Sequence, residues 1–189
     1  MSDYLIHYGI KGMKWGVRRY QPYSMVPRKS GQTGKERMVE SLSTKMKHFS
    51  YDFTDHPLKS PREVARSKSG NCHDQVMYEL SELRKIGKNP KAAFLIEANP
   101  MTNQGGTTHS FVYYKEGNKT VWFENAWGGH EGLHEFNSFS EIKKDIAKRH
   151  RNGEFGDVQN HPKLYWGEFD DSVVRPGDSL QTIVDKCIR

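Results

Sequence analysis

A thiol that opens a helix, a histidine on a later strand and an amide on the strand after it form a set able to carry out acyl transfer. In this chain the three are Cys72, His109 and Asn125. Cys72 stands at a turn-to-helix junction, Ser69-Gly70-Asn71-Cys72. The nucleophile is the thiolate, and the positive end of a helix macrodipole lowers a thiol's pKa. The backbone N–H of Cys72 is one of the donors a helix start leaves unpaired, so it can face an oxyanion growing on an attacked carbonyl. Gly70, without a Cβ, lets a substrate carbonyl come close. The bland alternative is an ordinary buried thiol. Core cysteines, however, lie mid-element more often than at a polar helix start.

His109 and Asn125 fall on two strands joined near Gly117-Asn118. A three-residue loop, Glu116-Gly117-Asn118, centres the hairpin on Gly117 and opposes the two side chains directly, with Cβ atoms ~5 Å apart on one face. A two-residue loop, Gly117-Asn118, would instead oppose His109 with Ala126. In the first register Asn125 orients the imidazole that serves Cys72. Glu124 then points to the opposite face, because side chains alternate along a strand.

A second motif competes. His130-Glu131-Gly132-Leu133-His134 has the H-E-x-x-H form of zinc metalloproteases, which needs both imidazoles on one helical face. Gly128-Gly129 before it and Gly132 within it argue against a helix, since an interior Gly costs ~1 kcal/mol. The expectation is a loop closing over the active site; the zinc enzyme is the minor alternative.

The elements that must hold these residues follow from spacing. Met38, Leu42 and Met46 predict a helix over 35–48. Ser60-Pro61-Arg62-Glu63 is a helix start with cap, first-turn Pro and capping box. A helix from 71 or 72 to about 86 buries Val76, Leu80 and Leu83 with Met77 beside them, and Gly87 ends it. Strands are expected at 92–97, 109–115 and 120–126, a helix at 140–149, a strand at 164–169 and a helix at 179–188. Helices lead and an antiparallel sheet follows, which is α+β.

The chain has 189 residues and a net charge of +6. Residues 1–30 carry Lys11, Lys14, Arg18, Arg19, Arg28 and Lys29 against Asp3, so +5 of that charge sits in the N-terminal arm. A nearly neutral remainder argues against a nucleic-acid surface on the body. No apolar run approaches the ~18–20 residues of a membrane span, and the start lacks a signal-peptide stretch. An intracellular setting with reduced thiols follows, so a free thiol is the better reading for at least one of Cys72 and Cys187. Pro, Ser and Gly in residues 21–34 suggest a linker. The expected division is a basic-aromatic arm over 1–30, linker and helix over 31–50, and a catalytic domain over 51–189.

Ser60-Pro61-Arg62-Glu63-Val64, Gly70-Asn71-Cys72-His73-Asp74 and Leu80 through Gly87 resemble the transglutaminase-like segment "peev…GxCxd…LLralGi". Thr108-His109-Ser110-Phe111-Val112 and Val121-Trp122-Phe123-Glu124-Asn125 look like its His and Asp strands. The resemblance covers roughly residues 58–127 and extends to papain-like peptidases, which share the order of the triad. It implies a nucleophile at a helix N-terminus packed on an antiparallel sheet. It also implies cysteine chemistry on an amide through Cys72, His109 and Asn125, without metal or organic cofactor. Peptide or isopeptide hydrolysis leads and amine transfer is second, with a protein or peptide as substrate. Asn125 stands where most transglutaminase-like members have Asp. Arg66 stands where papain-like proteases place an oxyanion Gln, so the second oxyanion donor is unassigned. A catalytically inactive virion structural or binding protein on the same fold is the alternative.

Residues 7–21 resemble a motif of the form "HxGxKGMKWGxRRYQ", found in proteins of phages and mobile elements of Gram-positive bacteria. It implies a phage-associated protein in the bacterial cytoplasm or on the virion. The arm is then read as a docking element for a phage structural protein, with Trp15 and the arginines as anchors; loose RNA or membrane-surface binding and a passive tail are the alternatives.

Overall fold

Helices begin where the sequence supplies a cap. Thr33 with Glu36, Ser60 with Glu63 and Asn71 with Asp74 each form a capping box, opening α1 (Gly34–Met46), α2 (Pro61–Ser67) and α3 (Cys72–Lys85). Ser138 and Ser179 cap α4 (Phe139–Arg151) and α5 (Leu180–Cys187). The computed structural model describes residues 31–98, 101, 105–154 and 163–188. The N-terminal arm and its motif lie outside the described residues.

Five strands form one antiparallel sheet: β3 (Lys91–Ala98), β4 (Gly105–Glu116), β5 (Lys119–Glu124), β6 (Gly132–Phe136) and β7 (Lys163–Phe169). Their spatial order is β6-β5-β4-β3-β7. A short parallel pair, β1 (Ser50–Tyr51) and β2 (Ser69–Gly70), ties the segment after α1 to the turn before α3. The architecture is α+β, with Cys72 the first residue of a helix packed on an antiparallel sheet, as the resemblance implied.

The two sheet faces carry separate cores, as period-two alternation requires. Phe94, Ile96, Val112, Tyr114, Val121 and Phe123 pack against Val39, Leu42 and Met46 of α1 and Val76, Leu80 and Leu83 of α3. Ala93, Leu95, Phe111, Tyr113 and Trp122 pack instead against Ile142 and Ile146 of α4. The expected α1 stripe is corrected at one place: Val39 is buried, whereas Met38 is 53% exposed. Positions 39, 42 and 46 give the tighter i, i+3, i+7 face.

Two further expectations change. β5 ends at Glu124, before Asn125. Residues 132–136 form strand β6 on β5, with His134 opposite Trp122, rather than a loop over the site. Among the described residues no helix is long and apolar enough to cross a membrane.

Candidate active site

Cys72 takes the N1 position of α3 because Asn71 caps it. The Asn71 side chain accepts from His73 N–H at 3.0 Å and Asp74 N–H at 3.1 Å. Asp74 answers by accepting from Asn71 N–H at 2.9 Å and Lys59 N–H at 2.8 Å, with His56 Nε2 at 2.8 Å from Oδ2. The need for glycine at position 70 has its cause here: a Cβ on Gly70 would lie 2.6 Å from the Asp74 Cβ. That glycine makes room for the cap, where the sequence had suggested room for substrate.

The β4–β5 hairpin turns through two residues, Gly117-Asn118, with Gly117 at φ +55°. Its register pairs Val112 with Phe123 and Glu116 with Lys119, one residue away from the register that opposes His109 with Asn125. The two-residue loop is favoured because a left-handed first position matches the twist of the strands. Continued past its last pair, this register sets Ser110, not His109, beside Asn125.

The partner of His109 is therefore Glu124, whose Oε2 lies 2.9 Å from His109 Nε2. Asn125 turns away and donates from its side-chain amide to Gln75 Oε1. Glu124 Oε1 accepts the backbone N–H groups of Asn125, Ala126 and Trp127 at 2.9, 2.7 and 2.9 Å, and Oε2 accepts the Trp122 indole N–H at 3.2 Å. Five donors thus converge on one buried carboxylate. Trp127 closes the arrangement by stacking on His109 at 3.9 Å between ring centroids.

The same imidazole acts on the Cys72 thiol, whose Sγ also lies 4.0 Å from the Thr108 carbonyl oxygen. Burial opposes charge on His109, but the Glu124 carboxylate and the Cys72 sulfur outweigh it and raise its pKa to about 10. Burial likewise opposes a thiolate at Cys72; the neighbouring His73 and His109 override it and hold the thiol well below its ordinary value. Glu124, despite burial, stays below the usual carboxylate range because of His109 and the backbone donors. These directions describe a thiolate–imidazolium pair backed by a carboxylate, the charge state a cysteine nucleophile needs.

His73 also lies beside the thiol, but its ring faces Ser110 Oγ at 2.8 Å from Nδ1 and Thr108 Oγ1 at 3.2 Å from Nε2. Hydroxyls thus meet both of its nitrogens, where His109 meets the Glu124 carboxylate. Deeper on α3, one and two turns past Cys72, lie Gln75 and Glu79. Burial, and then the nearness of Glu124, push the Glu79 carboxyl well above its usual range.

His130 precedes β6 and His134 lies within it, its Nε2 2.7 Å from the His130 carbonyl oxygen. The shared helical face that a zinc site of this motif requires is replaced by extended backbone. Among the described residues no group of three or more His, Cys, Asp and Glu is disposed to hold a metal ion.

Sequence reasoning set Glu124 on the opposite face and gave no role to His73 or Trp127. A signal for Glu124 was present in Gly117-Asn118, a two-residue hairpin pair. The run Glu-Asn-Ala-Trp after the strand is the turn whose N–H groups fold back onto Glu124.

A model for a family of unknown function, DUF7211, matches residues 1–22. No curated protein matches the chain in sequence. Among solved structures, Legionella pneumophila LapG superposes with a TM-score of 0.46 at 11% identity, covering 82% of this chain and 76% of that one.

Proposed function

We propose that the chain is a cysteine-dependent acyl enzyme acting on amides, through Cys72, His109 and Glu124. The observation that carries this reading is a thiol at a helix start beside an imidazole whose Nε2 meets a buried, five-donor carboxylate. The Cys72 thiolate attacks the carbonyl carbon and its electron pair forms the C–S bond. The His109 imidazolium then gives its proton to the departing amine, and the C–N bond breaks to leave a thioester. Water attacks the thioester while His109 takes its proton, and the acid leaves with the sulfur again a thiolate. An amine in place of water gives transfer; hydrolysis of a peptide or isopeptide is the favoured outcome. Asn125 serves this site through Gln75 rather than as the orienting group. The N-terminal arm, read from its sequence motif, supplies docking in a phage or mobile-element setting.

The test pairs a small acyl donor with a thiol probe. p-Nitrophenyl acetate should give a stoichiometric burst of nitrophenol from the wild-type chain and none from Cys72→Ala, with mass mapping of the acetyl group to Cys72. Iodoacetamide at neutral pH should label Cys72 ahead of Cys187, whose thiol burial pushes up to about 11. Absence of both the burst and the selectivity would support the inactive structural protein instead.

A further inference from the structure

An oxyanion needs two donors, and the capping arrangement leaves one of them in a telling place. The Asn71 side chain takes the N–H groups of His73 and Asp74, and its carbonyl takes that of Gln75. The N–H of Cys72 is passed over. It is met instead by a residue distant in sequence. Tyr51 pairs with Gly70 in the parallel β1–β2 ladder, locked there by Ser50 N–H to the Lys68 carbonyl at 2.8 Å and Asp52 N–H to the Gly70 carbonyl at 3.1 Å. This register sets Tyr51 beside the turn that opens α3, and its phenol lies close enough to Cys72 to interact with both the thiol and the backbone N–H. Phe53, 4.7 Å away between ring centroids, backs the Tyr51 ring.

We propose that the Tyr51 hydroxyl is the second donor of the oxyanion site, acting with the backbone N–H of Cys72. The inference rests on Cys72 being the acylating nucleophile. In the free protein the phenol oxygen holds the Cys72 N–H, and it shifts aside by a hydrogen-bond length, ~2.7 Å, when the carbonyl oxygen enters. As the thiolate attacks, the carbonyl oxygen gains the electron pair of the C=O bond and takes over the Cys72 N–H. The phenol then turns its O–H from the sulfur to that oxygen. No proton leaves Tyr51 in this step. Burial and the adjacent sulfur hold its pKa well above the ordinary phenol value, so it remains a donor throughout. The amide best placed to compete is otherwise engaged: Gln75 Nε2 donates to the Gly70 carbonyl at 2.8 Å, and Gln75 Oε1 accepts from Asn125.

Two electrophiles separate this role from a structural one. Acylation by p-nitrophenyl acetate passes through an oxyanion, whereas alkylation by iodoacetamide displaces iodide at a saturated carbon and forms none. Tyr51→Phe should slow the acylation burst by about 100-fold or more. Its limiting alkylation rate, measured above the thiol pKa, should stay within about threefold of wild type, which also reports that the variant is folded. Unchanged or faster acylation overturns the assignment, as does an equal fall in both rates, which would place Tyr51's role on the thiol or the fold. A wild-type chain that shows neither burst nor selective Cys72 labelling overturns the underlying reading instead.

Discussion

Two buried histidine–glutamate pairs share one indole and differ in charge state. Trp127 stacks on His109 at 3.9 Å and meets His150 edge-on at 5.8 Å. His109 faces Glu124 at 2.9 Å, and His150 faces Glu97 at 3.4 Å. Yet His109 is raised to about 10 while His150, desolvated and repelled by His109, falls to about 4. Glu124 lies below the usual carboxylate range, and burial lifts Glu97 to about 7. Proximity of an acid to an imidazole therefore does not by itself make an ion pair in a protein interior. His109 and the backbone N–H groups hold Glu124 ionised, and the Cys72 sulfur gives His109 a second partner that rewards its proton. For Glu97 burial is the leading influence, so that pair is neutral or only half charged near pH 7.

The sharpest way to break the contrast is to make the first pair resemble the second. Glu124→Gln keeps the shape and removes the charge. His109 then loses its main reason to be protonated, and acylation by p-nitrophenyl acetate should fall on the order of 1,000-fold, about 4 kcal/mol of barrier. The sign of the pH effect follows from the raised histidine. The imidazolium is fully present below the ordinary imidazole value and is lost as pH rises through about 10. In the variant that loss should come at lower pH, so the basic limb of the burst rate moves down. A basic limb that stays in place would show that Glu124 does not govern His109.

The converse change, Glu97→Gln, should leave acylation within about threefold and alter stability instead. A carboxyl moved from 4.5 to about 7 binds more protons folded than unfolded, so it erodes stability as pH rises between those values. The full cost is about 3 kcal/mol once ionised. Urea unfolding midpoints should show the variant gaining on wild type by about that amount between pH 4 and pH 8.5. Parallel midpoints across that range would mean that Glu97 is not burdened by its charge.

Asn125→Ala gives the smallest effect. It removes a hydrogen bond to Gln75 and leaves His109–Glu124 intact, so about 1 kcal/mol of stability and a few-fold in rate are at stake. A loss as large as that of Glu124→Gln would return the orienting role to Asn125.

What the sequence by itself determined is local. Caps at Thr33, Ser60 and Asn71 act on N–H groups within three residues, so the helix starts, and Cys72 at one of them, were legible from neighbours alone. The strands holding His109 and Glu124 were legible from composition and the turn between them. Only the tertiary structure decided which acid meets His109. Side chains alternate with period two, so one residue in the hairpin register exchanges Asn125 for Glu124, and local spacing allowed both loops. The same holds for Tyr51, brought to Cys72 by a two-residue ladder with no pattern of its own. It holds again for residues 132–136, expected as a loop and made a strand by pairing with β5. Long-range pairing energy is absent from a linear reading, and this site depends on it for every group beyond the thiol and its base.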